Sequence, residues 1–509
     1  MAKSYEEYSE ERKVLQKAGH LPDWYTTSSF QMFDSRYKVP GEGYVKERFR
    51  TIAKTLSKHM VGEEEYWEGK FFEVLWKGWL SPASPVLSNV GTDRGLPISC
   101  SGGYVGDSVD EFYTSLHEQA VLSKWGFGCS GYFGDIRPRG SAISIGGKAS
   151  GAVPVIEDFA IMASKISQGS NRRGATASYL PIDHGDFDEL VDMLEQSPDG
   201  LNIGWNVSDD FLSKLKAGDA EANRRFSRAL YVKLVTGKGY FFFVDRANRA
   251  RPQMYKDLGL DIKASNLCTE IMLHSSPSLS FSCVLSSMNL YKWDEWKDTD
   301  AVFVATVFLD CVVSEFLNKS KGIRGLEKVR KFTQLGRAIG LGVLGFSSLL
   351  QKNKIPFESL EAMYLNNGIF RKLKEDSDEA SKWLAVKFGE PEWCKGYGVR
   401  NTHTTALAPT KSTSLLMGGV SESVFPDPGM VFEQSSAAGG MSRITPEFYK
   451  IMKERGKYNK ETIDSIIANV GSVQHLDWLS DEEKLVFKTA FEVDQSVILR
   501  YASQRQKFL

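Results

Sequence analysis

An amide, a thiol and a carboxylate stand at alternate positions in the segment 264–271: Asn266, Cys268 and Glu270. In an extended backbone this spacing sends all three side chains to one face. On a helix, Cys268 would point away from the other two. Side by side they supply a hydrogen-bonding group, a redox-active atom and a base. An edge strand with a half-buried cysteine carries the same pattern, so the spacing alone leaves both readings open. Two more thiols sit in suggestive contexts: Cys283 within SFSCVLSSMNL, and Cys100 within LPISCSGG, ahead of an expected Gly-rich turn. Thiols brought together from distant segments can form and break a disulfide during turnover; two unrelated buried cysteines are the alternative. The six cysteines include no CxxC pair, which removes zinc-site spacing. Cys311, in the apolar run AVFVATVFLDCVV, reads as a core residue, and Cys129, in GFGCSG, as structural.

Anion-binding chemistry has its own candidates. PTKSTS at 409–414 follows an expected strand and precedes an apolar run. Hydroxyls and backbone N–H groups at a helix start make an anion site, to which Lys411 adds charge; an ordinary Ser/Thr cap is the alternative. The Ser/Pro turn SPASPVLS at 81–88 could form another part of the same pocket. SQGSNRRGA at 167–175 reads as a flexible loop whose Arg172 and Arg173 suit phosphate or base contacts, or else solvent.

The elements that must position these residues read as α/β. Residues 1–80 carry apolar side chains at helical spacing, and 110–124 forms another helix, ending at the Gly-rich turn region WGFGCSGYFGDIRPRG. From about residue 150 strands and helices alternate. Strands are expected at 201–207, 237–245, 281–285, 341–346 and 402–409. That order predicts a largely parallel sheet with the site at strand ends and their loops. The net charge of -1 gives no bulk signal for nucleic acid or membrane. The N-terminus is polar, without a signal-peptide core, and no uninterrupted apolar run reaches about 18 residues. A cytoplasmic protein that engages neither nucleic acid nor membrane is expected.

Taken together, NLCTEI at 266–271 followed by SCVLSSMNL at 282–290 resembles the large, catalytic subunits of class I ribonucleotide reductases. SPASPVLSN, GDSVDEF, RPRGSAI, SQGSNRRGA, FVDRANRARPQ, GVLGFSSLLQKN and TTALAPTKSTS occur in the family's order, from about residue 20 to the last residue. The resemblance implies a ten-stranded α/β barrel over 81–509, incomplete at its C-terminal strand, behind an N-terminal helical region at 1–80. A loop bearing the radical cysteine would run through the barrel. It further implies that Cys268 becomes a thiyl radical, that Glu270 accepts the 3′-hydroxyl proton, that Asn266 holds the substrate, and that Cys100 and Cys283 supply two electrons. Ser84, Ser99, Thr410, Lys411, Ser412 and Thr413 would hold diphosphate and ribose. Such chemistry calls for a dry, shielded pocket. Asp107, Ser108 and Arg137 match a specificity site for nucleoside triphosphate effectors, linked to substrate through Gln168, Arg172 and Arg173. No cofactor is expected on this chain.

The radical would come from a metal-containing small (beta) subunit and the reductant would be thioredoxin or glutaredoxin; a homodimer would form through the effector-site helices. The family's N-terminal ATP-sensing domain has no counterpart here, and neither do its last strand, its relay tyrosine pair and its cysteine tail. A C-terminal fragment on a separate polypeptide, a spliced product or an experimentally shortened chain is therefore expected. Tyr501 does not match the relay pair. The alternatives are an adenosylcobalamin-dependent (class II) reductase and a non-catalytic nucleotide-binding assembly partner.

Overall fold

Helices open the chain, as the periodicity of the first 80 residues predicts. The computed structural model describes residues 3–144, 146–168, 172–436 and 439–509. In it Tyr5–Lys17, Val45–Ser57 and Glu64–Trp76 are helical. Val45–Ser57 buries Val45, Phe49, Ile52, Ala53 and Leu56, the stripe expected of an amphipathic helix packed on a core.

Strands then follow in the order β1 (Leu80–Pro82), β2 (Cys100–Tyr104), β3 (Gly128–Tyr132), β4 (Ser167–Gln168), β5 (Arg172–Arg173), β6 (Thr176–Pro181) and β7 (Ile203–Asn206). After these come β8 (Tyr240–Phe242), β9 (Phe281–Cys283), β10 (Leu285–Asn289), β11 (Gly340–Leu344), β12 (Val431–Ser436) and β13 (Gly439–Ile444). The main sheet has the order β8-β7-β6-β3-β2-β9. Its first five members are mutually parallel, and β9 runs antiparallel to β2. One residue later the same segment continues as β10, antiparallel to β1 and parallel to β11. Residues 281–289 thus join two oppositely directed sets of strands in the wall of an α/β barrel. The short β4–β5 ribbon and the β12–β13 hairpin lie outside these sheets.

Three local expectations are corrected. The segments read as Gly-rich turns are central strands, β2 and β3. Their glycines answer to side chains packed across the sheet: a Cβ on Gly102 would run into the Phe281 ring and Ser130 Oγ. The strand expected at 237–245 is shorter, because a helix starts at Val244. Residues 402–409 form no strand; Thr405 makes a single parallel bridge to Leu341. Here Gly342 lets the Ala406 carbonyl approach more closely than a side chain would allow.

The helix Ala301–Lys319 fills the centre of the largest core cluster and buries Cys311, as its sequence predicts. It is long and apolar enough to cross a membrane by length and composition, yet 72% of its most apolar stretch is buried inside the protein. Its one buried acid, Asp310, is fully partnered. It bonds Arg337 (2.8 Å), Arg400 (3.0 Å) and Asn401 (3.0 Å), which anchors the segment leading into 402–409.

Candidate active site

Cys100 on β2 and Cys283 on β9 are direct cross-strand partners in the antiparallel ladder. Opposed Cα atoms in such a ladder lie roughly 4.5–5.5 Å apart, inside the window a disulfide requires. Both thiols are buried and the Cys283 thiol hydrogen-bonds that of Cys100. Burial and the neighbouring Cys100 push the Cys283 thiol well above its ordinary range, with Glu270 and Cys268 adding to the rise. The Cys283 thiol is therefore held in its protonated form beside Cys100, in a register from which the two sulfurs could close to a disulfide.

The segment carrying Asn266, Cys268 and Glu270 is a tight turn rather than the extended strand its alternation predicts. An antiparallel bridge joins Ser265 to Met272, and between them Thr269 sits in the left-handed region at φ 66°. That conformation costs an L-residue about 1–2 kcal/mol. Side chains hold it: Asn266 Oδ1 accepts from the backbone N–H groups of Glu270 (3.0 Å) and Ile271 (3.1 Å). Three parallel strands tie down the turn and the chain entering it. Ser130 of β3 donates to the Ser265 carbonyl (2.8 Å), Tyr179 of β6 to that of Asn266 (2.7 Å) and Asn206 of β7 to that of Lys263 (2.6 Å). Lys263 pairs with Asp135 at 3.1 Å beside the stacked Tyr104 and Tyr132 rings.

The turn and the ladder meet at one cavity of about 1430 Å³, whose wall includes Cys268, Glu270 and Cys283. This volume exceeds the usual range of small-molecule pockets and leaves room for a nucleotide. Asn266 Nδ2 and Glu270 Oε2 are buried without a well-formed hydrogen bond, so each offers an unmet partner to a ligand. Burial pushes Glu270 up to about 7, against the opposing pull of the Asn266 side chain. A carboxyl poised there can take up a proton near neutrality. The expectation of a dry, shielded sulfur is not met in this chain alone: Cys268 is exposed, because the cavity is open above the turn.

The remaining predicted residues lie farther out. Ser84 hydrogen-bonds Tyr37 (2.9 Å), and Ser99 is buried next to Cys100. Thr410 accepts from Ser423 N–H (2.8 Å), and Lys411, Ser412 and Thr413 open the short helix Lys411–Leu416. The cavity wall includes Pro409 and Ser423 but none of these six. Asp107 and Arg137 form an ion pair at 2.6 Å next to Ser108, the N-cap of helix Val109–Lys124. Gln168 and Arg172 are paired across the β4–β5 ribbon, as are Ser167 and Arg173; the side chains of 167–173 and all of 169–171 lie outside the described residues. Cys129 is buried with its thiol on the Gln119 carbonyl (3.8 Å) and matches the structural reading. Tyr501 is buried in helix Gln495–Arg505, its hydroxyl on the Phe357 carbonyl.

Sequence reasoning missed Glu118, Tyr179, Ser130 and Asn206. Glu118 accepts from Ser280 (3.0 Å), one residue before β9, and burial pushes it up to about 7. Asn206 closes an expected strand, where α/β sites gather, so its position was a usable signal. The other three carried none.

The family model of the ribonucleotide reductase all-alpha domain matches residues 24–95, and that of the barrel domain matches 98–227, 219–395 and 391–509. The chain belongs to the ribonucleotide reductase family. It is similar to a ribonucleoside-diphosphate reductase large subunit of Frog virus 3 (isolate Goorha), at 35% identity over 89% of this chain and 83% of that protein. A vitamin B12-dependent ribonucleoside-diphosphate reductase of Thermoplasma acidophilum is 31% identical over 86% of this chain and 59% of its own length. Among solved structures, the class Id ribonucleotide reductase alpha subunit of Actinobacillus ureae superposes with a TM-score of 0.88. It is 44% identical, over 96% of this chain and 90% of that one. The chain is thus a catalytic large subunit of this family, an oxidoreductase of deoxyribonucleotide synthesis.

Proposed function

We propose that this chain reduces ribonucleoside diphosphates to 2′-deoxyribonucleotides by radical chemistry at Cys268. The Cys268 sulfur radical takes the 3′ hydrogen, forming S–H and a carbon radical. Glu270 accepts the 3′-hydroxyl proton, and the 2′ hydroxyl leaves as water after protonation by the dithiol. Cys100 and Cys283 give up two electrons and become a disulfide; their second hydrogen goes to C2′, Glu270 returns its proton to the 3′ oxygen, and Cys268 returns its hydrogen to C3′. Thioredoxin or glutaredoxin then re-reduces the pair. Asn266 hydrogen-bonds the substrate, and Ser84, Ser99 and 410–413 hold its diphosphate and ribose. The observation that carries this reading is the direct pairing of Cys100 with Cys283 beside a cavity that also takes in Cys268 and Glu270.

The radical is supplied by a metal-containing small subunit; the class Id alpha neighbour favours this over adenosylcobalamin. Because Cys268 is exposed, we infer that a partner polypeptide covers it in the working complex. Asp107, Ser108 and Arg137 form the effector site, coupled to substrate through Gln168, Arg172 and Arg173, with a homodimer across the adjoining helices. The chain divides at about residue 80 into a helical region and the barrel, and it works in the cytoplasm.

The test is Cys268→Ala in the complex assembled with the small subunit. Deoxynucleotide formation should fall by at least about 10³-fold, as for loss of a reacting atom, with an unchanged melting temperature. Full activity in that variant would end the reading. Activity supported by adenosylcobalamin without the small subunit would move the chain to the B12-dependent class.

A further inference from the structure

We propose that Tyr179 is a positioning residue for Cys268, its phenol bridging the two sides of the strained turn and fixing where the sulfur stands. The inference rests on Cys268 being the reacting sulfur. Tyr179 is fully buried on β6, and its ring fills the space left by Gly204 on β7, where any Cβ would overlap it. The Phe242 ring packs edge-on at 6.0 Å. With the ring wedged on both sides, its hydroxyl oxygen has a set location. From there it donates to the Asn266 carbonyl (2.7 Å) and shares a hydrogen bond with Thr269 Oγ1 (2.8 Å). Those partners stand two residues before Cys268 and one residue after it.

Thr269 is the residue that most needs such a partner. A β-branched side chain at φ 66° is an outlier that persists only where surrounding contacts over-determine it. The Asn266 amide fixes the backbone at Glu270 and Ile271, whereas the Thr269 hydroxyl takes its side-chain hydrogen bond from Tyr179. Without the phenol, the Asn266 carbonyl keeps the longer bond from Thr269 N–H (3.2 Å). Thr269 can then relax toward ordinary backbone angles, and Cys268 swings with it. A phenylalanine would fill the same volume, so packing alone does not call for a tyrosine here.

The experiment uses Tyr179→Phe in the complex with the small subunit. We expect kcat to fall about 10-fold or more, the scale of a misplaced reacting group, with KM for the nucleotide and the melting temperature nearly unchanged. Adding Thr269→Gly should recover much of that kcat, because glycine adopts a positive φ without help. Thr269→Val, which removes the other end of the bridge and leaves the core intact, should show a smaller kcat loss of the same kind. In the isolated chain Cys268 is exposed and the other five cysteines are buried. Its alkylation by iodoacetamide, read by peptide mass spectrometry, should therefore change at least twofold in Tyr179→Phe. Wild-type kcat and alkylation in both Tyr179→Phe and Thr269→Val would overturn the proposal, as would a kcat loss that Thr269→Gly leaves untouched. If Cys268→Ala is inactive while Tyr179→Phe behaves as wild type, only the positioning role fails. If Cys268→Ala is active, the reading beneath it fails.

Discussion

The ladder that holds Cys100 against Cys283 and the turn that carries Cys268 lie on one cavity but are built by opposite means. In the ladder, main-chain pairing between β2 and β9 sets the backbone spacing of the two cysteines. Any regular antiparallel pairing in that register brings two thiols within bonding reach. In the turn, one bridge and a left-handed threonine leave the backbone under-determined, and side chains from β3, β6 and β7 supply what the ladder gets from its own pairing. The difference matches the two tasks. A two-electron store needs a backbone spacing that suits both redox states, so that the sulfurs can close to a bond and part again. A sulfur that takes and returns a hydrogen atom must sit against a substrate, so its place is set by residues that can be tuned one at a time.

Breaking the ladder's chemistry should have the largest effect. Cys283→Ser is expected to abolish repeated turnover, a loss of about 10²-fold or more, while leaving the fold intact. Mild oxidation should cost the parent chain two titratable thiols and this variant none of that pair; an unchanged thiol count in the parent would show that the pair is not redox-active. Disturbing the ladder's geometry comes next. Gly102→Ala drives a methyl group toward Phe281 and Ser130 and should destabilise the protein by about 1–3 kcal/mol, the usual cost of overpacking. Thermal melts and the yield of the oxidised pair would both report it, and a wild-type melt would mean that the strands shift freely.

The smallest effect belongs to the turn and depends on pH. The folded pKa of Glu270 is raised to about 7, above the unfolded value of about 4.3. Between these values the folded chain keeps a proton that the unfolded chain has lost. Stability from this group is therefore greatest below the unfolded value, declines as pH rises, and levels off above about 7. Glu270→Gln removes that decline. Denaturant melts should show the variant gaining on the parent between pH 4 and pH 8 by on the order of 1–2 kcal/mol, reduced because the side chain is only half-buried. A gap independent of pH would mean that the carboxyl is not held neutral.

Features that depend on residue type and short spacing were legible in the sequence. The helix expected over 110–124 and the buried Cys311 could be named without coordinates, while the five residues of the site were named through the family resemblance. The Gly-rich strands β2 and β3 were not legible, because their glycines serve Phe281 and Phe133, which come from another strand or lie beyond the end of their own. Alternation at 266–270 pointed to an extended segment, and the structure makes it a turn because Asn266 spends its amide oxygen on the backbone. Local pattern lists the groups that can react and the caps and faces their neighbours favour, since those energies lie within a few residues. Register, the left-handed threonine and the shared cavity came from tertiary structure alone. Each depends on contacts between segments far apart in the chain, and no single segment carries the energy that selects them.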